Sequence, residues 1–140
     1  MARFANGKYE VQNAHKFVGK SLPTYRSSWE LAFMRFCDNN NNVLQWASES
    51  IQIPYRNPVT GKQSIYVPDF FITYRDKDNT MKAELIEIKP RKQSVMEGRM
   101  SQQQKATVVV NHAKWEAAYA WCSRQNIRFR VVTEDDIFRK

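Results

Sequence analysis

Tyr66-Val67-Pro68-Asp69-Phe70-Phe71-Ile72-Thr73-Tyr74, a polar turn from Arg75 to Thr80, and Ala83-Glu84-Leu85-Ile86-Glu87-Ile88-Lys89-Pro90-Arg91-Lys92 decide how this chain folds. Each half is short, rich in β-branched and aromatic residues, and bounded by turn formers, so the two read as buried strands of an antiparallel hairpin. The charges inside them are the anomaly. Strand side chains alternate, so Leu85, Glu87 and Lys89 project from one face while Ile86 and Ile88 project from the other into the core. A carboxylate and an ammonium therefore share one face at the end of an apolar strand, where desolvation is costly without compensation. Asp69, on the adjoining strand, is the natural third member.

Pro68 cannot donate to a sheet ladder and holds the residue before it extended, so pairing is expected to be interrupted beside Asp69, leaving room for a ligand. Two carboxylates converging on one point repel. A shared hard divalent cation resolves that repulsion, and oxygen-only ligands favour Mg2+, with Mn2+ as a substitute. Lys89 would then orient or deprotonate a water, or offset charge on an attacked phosphate.

Pro68-Asp69 followed by Glu87-Ile88-Lys89 resembles the P-D...E-x-K signature of the restriction-endonuclease-like nuclease superfamily. The wider string of Tyr25-Arg26-Ser27-Ser28-Trp29-Glu30, Gln52-Ile53-Pro54-Tyr55, Tyr66 to Phe70, Glu87 to Pro90, and Phe129 to Ile137 resembles two related groups. One is the TnsA-type transposon endonuclease domain. The other, similar over almost the whole chain, is the head completion nucleases of tailed phages related to T4. The resemblance implies an Mg2+-dependent deoxyribonuclease in which Asp69, Glu87 and the Ile88 carbonyl bind metal and Lys89 assists the water. It also implies a glutamate of the first helix, here Glu30, reaching toward the metal. Ser27 and Glu30 equally have the spacing of a helix capping box, which explains the same residue without catalysis. Double-stranded DNA is the implied substrate, and phage head or neck proteins are implied partners. The rival reading is a structural virion connector that keeps the nuclease fold and DNA contact with little turnover. With no extension after Lys140, a partner-dependent transposition role is not the expected one.

The composition agrees. The net charge is +8, from 22 basic and 14 acidic side chains, and points to a polyanion. No run approaches the length of a membrane span, and the N-terminus lacks the apolar core of a signal peptide, so no membrane partner is expected. The host cytoplasm, with incorporation into the virion, is the expected location. Cys37 and Cys122 form no C-x-x-C pair and read as buried thiols. His15 and His112 are too scattered for a zinc site.

Residues 1–24 read as an extended N-terminal arm ahead of a single nuclease domain over 25–140. Within the arm, Tyr9, Val11, Phe17 and Val18 are candidates to pack on the domain, and Arg3, Lys8, Lys16 and Lys20 to follow phosphates or a protein partner. If it meets other virion subunits, truncation should abolish assembly and spare cleavage. A helix follows from Tyr25, capped at Ser27 or Ser28, with Trp29, Phe33, Phe36, Leu31, Ala32 and Met34 apolar, ending at Asn39 to Asn42. Val43 to Tyr55 reads as a strand, and Asn57 to Lys62 as a turn. A long helix is expected from about Val95 to Gln125, with a break near Thr107 to Asn111 and with Trp115, Ala118, Tyr119 and Cys122 on the sheet. Ile127 to Val132 reads as a strand, and Thr133 with Asp136 as the cap of a last short helix. Helix, three antiparallel strands, helix, strand makes an α/β fold with a mixed sheet flanked by helices, the crossover helix setting the last strand parallel to its neighbour. Arg26, Gln52, Arg56, Lys62, Arg91 and Lys92 are the candidate DNA contacts, expected to meet phosphates more than bases.

Overall fold

The computed structural model describes residues 6–138, the last two by backbone alone; Arg3 lies outside them. In chain order the elements are β1 (Gly7–Lys8), β2 (Thr24–Tyr25), α1 (Ser28–Asn39), β3 (Val43–Ser48), β4 (Ile53–Arg56), β5 (Gln63–Tyr66), β6 (Phe70–Arg75), β7 (Met81–Ile88), α2 (Gln102–Arg124), β8 (Arg128–Val132) and α3 (Glu134–Phe138). The main sheet has the order β3-β6-β7-β8. β3 and β6, and β6 and β7, pair antiparallel, and β8 joins β7 parallel after the α2 crossover. This is the restriction-endonuclease-like core expected from the sequence.

Alternation along β6 and β7 divides the core into two layers. Phe70, Ile72, Ile86 and Ile88 pack with Phe33, Met34 and Cys37 of α1, around Trp46 and Tyr9. Leu85 faces the other way, toward Ala118 and Cys122 of α2 and Phe129 of β8. There it also meets Ile53, Tyr55 and Tyr66 from a separate β4–β5 hairpin. The single strand expected over Val43 to Tyr55 is thus two. Glu49 turns the chain between them at φ 51°, a left-handed conformation uncommon without glycine. Gly61, at φ 74°, serves the β4–β5 turn, where a side chain would be strained.

The second helix begins later than expected. Gly98 has φ 67°, which breaks any helix begun at Val95, and Ser101 then forms a full capping box with Gln104. No break occurs near Thr107, because β-branched residues cost a helix only tenths of a kcal/mol, and Asn111 is tied by its amide to the Gln93 carbonyl at 2.9 Å. The inward face is Val108, Asn111, Ala118 and Cys122. Tyr119, about 100° round from Ala118, is 65% exposed and so is not part of the expected core stripe. Phe36 of α1 is likewise half-exposed, beyond the arc set by Phe33, Met34 and Cys37. A Schellman-type end, with Asn126 at φ 59° and the Ile127 amide bonded to the Cys122 carbonyl, turns the chain into β8.

The stretch read as an extended arm packs on the body, with Tyr9, Val11 and Phe17 against the α1-side core. β1 pairs with β2, Tyr9 and Lys16 are buried, and Phe17 packs against Trp46 with ring centroids 4.8 Å apart and the rings tilted by 57°. The Val18 amide donates to the Trp46 carbonyl beside β3. Cutting at Thr24 is therefore expected to lower the stability of the whole domain, as a fall in melting temperature, instead of leaving a stable nuclease body. No helix among the described residues is long and apolar enough to cross a membrane.

Candidate active site

Extending the β6–β7 register by one residue from Phe70 opposite Ile86 sets Asp69 opposite Glu87. Both then belong to the face of Phe71 and Leu85, two residues on in each strand, so the carboxylates are brought together by strand geometry alone. Pro68 keeps the ladder from continuing. In place of a backbone partner, the Ile88 amide donates to Asp69 Oδ2 at 2.8 Å. Lys89 Nζ lies 3.6 Å from Glu87 Oε2, on the site side and not in a remote salt link. The expected convergence of Asp69, Glu87 and Lys89 is present.

Electrostatics mark the spot. Burial pushes the Asp69 carboxyl well above the usual range, and the charges of Glu87 and Glu30 push it the same way against the Ile88 amide and Lys89. Glu87 is raised too, chiefly by burial, with Lys89 and Lys114 pulling it down. A carboxylate with a raised pKa makes the folded state gain stability as pH falls through that value and carry a penalty above it. Asp69→Asn is therefore expected to raise the melting temperature of metal-free protein near pH 8, by roughly 3–5 °C per kcal/mol of relieved repulsion. The gain should shrink in acid. A lower melting temperature at both pH values would contradict this electrostatic picture.

Glu30 caps α1 with Ser27, whose hydroxyl accepts from the Glu30 amide at 3.1 Å. Its carboxylate accepts not from Ser27 but from the Arg26 amide, at 3.1 Å. Burial raises its pKa, and it lies within electrostatic reach of Glu49, Lys89 and Asp69. Glu30 thus serves the cap and borders the carboxylate pair at once.

Glu87 Oε1, Tyr66 Oη and Trp115 Nε1 are buried without a partner in hydrogen-bond geometry, although Tyr66 is close enough to Glu87 and Trp115 to feel both. Such orphaned atoms need an explanation. Among the described residues no group of three or more acidic, histidine or cysteine side chains is gathered to enclose a metal. A hydrated Mg2+ keeps several waters and binds through one or two carboxylates. Two opposed carboxylates, one with an unsatisfied buried oxygen, fit such an ion.

The candidate DNA contacts are dispersed. Arg26 pairs with Glu49 at 2.6 Å at the rim, near Glu30 and Asp69. Gln52 is exposed just before β4. Arg56 folds back on the Gly61 carbonyl at 2.6 Å at the hairpin tip, where Lys62 is exposed. Arg91 faces Glu97 at 3.4 Å and Asp135 at 3.7 Å, and its amide bonds Glu134. Lys92 is exposed beside it. Two residues near the carboxylates escaped the sequence reading. Glu49 follows β3, and its amide donates to the Asp69 carbonyl at 2.9 Å. Lys114 of α2 is half-buried, with Nζ 5.8 Å from the Tyr66 ring centroid. Its one sequence signal is a lysine on the arc between Asn111 and Ala118.

A mixed sheet carrying opposed carboxylates and a lysine two residues beyond one of them defines an endonuclease-type chain. The protein belongs to the TnsA-like endonuclease family: residues 40–134 match the family described as TnsA-like endonuclease N terminal. It is also similar to the Head completion nuclease of Enterobacteria phage T4, with 33% identity over 94% of this chain and 93% of that protein.

Proposed function

We propose that this protein is a metal-dependent deoxyribonuclease that hydrolyses phosphodiester bonds and acts in phage head completion and head-tail joining. The register-enforced meeting of Asp69 and Glu87 beside Lys89 carries the reading, and family membership supports it. Asp69, Glu87 and the Ile88 carbonyl would hold Mg2+, with Mn2+ as a substitute; bound there, the ion supplies Lewis-acid polarisation of the phosphate. Lys89, its ammonium 3.6 Å from Glu87 Oε2, orients the attacking water or takes its proton and offsets charge on the phosphate. Glu30, anchored through the Arg26 amide, helps orient that water. Arg26, Gln52, Arg56, Lys62, Arg91 and Lys92 contact double-stranded DNA, mainly at phosphates. Phage head or neck proteins are the partners, with action in the host cytoplasm and retention in the virion. The connector reading drew on the basic, aromatic N-terminal arm and on the chain's small size, and family membership favours the nuclease over it.

The test is cleavage of supercoiled plasmid in Mg2+ and in EDTA, with nicked or linear product expected only with the metal. Identical products in both would overturn the metal-dependent reading. Because burial makes both carboxylates hold protons more tightly than usual, with the charge of Glu87 adding to the effect at Asp69, metal must displace protons to bind. The Mg2+ concentration for half-maximal cleavage should accordingly rise as pH is lowered from about 8 to about 6. A requirement independent of pH would count against these carboxylates as the ligands.

A further inference from the structure

We propose that Lys114, on α2, is a second phosphate-holding cation beside the carboxylate pair; the inference rests on the nuclease reading of the site. Lysine is rarely found on the inward arc of a helix unless something pairs with it. Here the neighbours one turn away on either side, Asn111 and Ala118, are buried, and Lys114 is itself half-buried. Its ammonium lies 5.8 Å from the Tyr66 ring centroid, near the outer limit of a cation–π contact. It feels the charges of both Glu87 and Lys89. Among the described residues, however, it has no carboxylate within 4 Å and makes no hydrogen bond. An ammonium partly withdrawn from water, without an acceptor and facing a second lysine, is unfavourable in the free protein. A DNA phosphate brought over the carboxylate pair supplies the missing anion and relieves the lysine–lysine repulsion. Arg91, by contrast, already faces Glu97 and Asp135.

The alternative is that Lys114 only balances the buried Glu87 charge. Replacement would then change stability and leave phosphate contacts untouched. The experiment measures equilibrium binding of a short duplex in EDTA, where no cleavage occurs, across a salt series for wild type, Lys114→Met, Lys114→Gln and Lys114→Arg. Single-turnover cleavage in Mg2+ and thermal melts accompany it. Both neutral variants should show a plot of log affinity against log salt less steep by about 0.9, and cleavage slower on the order of 10²-fold. Lys114→Arg should restore the slope. A neutral variant that keeps the wild-type slope overturns the proposal, even if its cleavage is slow, because its charge then acts through Glu87 and not on DNA. A wild type that binds with the steeper slope but never cuts supports the phosphate contact and overturns the nuclease reading.

Discussion

Asp69→Ala and Lys89→Ala are each expected to abolish plasmid cleavage while leaving the protein folded. Asp69 stands opposite Glu87 and holds the Ile88 amide, so its loss removes half of the proposed metal cradle. A fall of about 10³-fold or more is expected, since the Lewis acid goes with its ligand. Lys89 contributes a proton-handling or charge-offsetting group, an effect of about 10²–10⁴-fold. Near-UV circular dichroism should be unchanged for both. Asp69→Ala removes a member of a repulsive pair and no core volume, and Lys89 is only weakly held by Glu87 at 3.6 Å. If wild type and both variants cut equally, the assignment of this site is wrong whatever the fold.

The second large effect falls far from the carboxylates. Asp38, at the end of α1, is fully buried, and its carboxylate accepts from Tyr9 Oη at 2.6 Å, the Gln12 amide at 2.7 Å and the Asn13 amide at 3.0 Å. Its carbonyl accepts from Asn13 Nδ2 at 2.7 Å and Lys16 Nζ at 3.0 Å. One residue thereby fastens Tyr9, Gln12, Asn13 and Lys16 to the end of α1. Asp38→Ala leaves a buried hydroxyl and two amides without acceptors, and is expected to destabilise by about 3–5 kcal/mol. Tyr9→Phe, which removes a single donor, should cost about 1–2 kcal/mol. Urea unfolding measures both, and a loss under about 1 kcal/mol for Asp38→Ala would show that the latch is not what holds the segment.

The same carboxylate sets an acid limit. Burial alone would raise the Asp38 pKa, but the bonds from Tyr9, Gln12 and Asn13 hold it below the usual value. A depressed carboxylate contributes stability that is complete above its unfolded pKa and lost as pH falls through the folded one. Asp69 has the opposite sign, so acid should relax the site while it loosens the N-terminal latch.

Much of the site was legible because its logic is local. Glu87 and Lys89 share a face through the two-residue period of a strand, and Asp69 joins them through a hairpin whose turn fixes the register. Hydrophobic alternation over Ile86 and Ile88 pinned that register, since a one-residue slip would have turned the carboxylates into the α1 layer. The order of strands and the parallel return of β8 followed from the helix between them.

Tertiary structure decided the rest. Which side of α2 meets the sheet depends on the rotation of the whole helix, so Lys114 inside and Tyr119 outside could not be separated by spacing alone. Glu49 reaches the site only because β3 ends beside Asp69, a pairing between segments twenty residues apart in sequence. In the extended N-terminal stretch the apolar residues Tyr9, Val11 and Phe17 marked what could pack, but no periodicity declared their seats, which are set by Asp38 and Trp46 on other elements. Short-range periods are written into the residues themselves, whereas contacts between distant segments exist only once packing has chosen which faces meet.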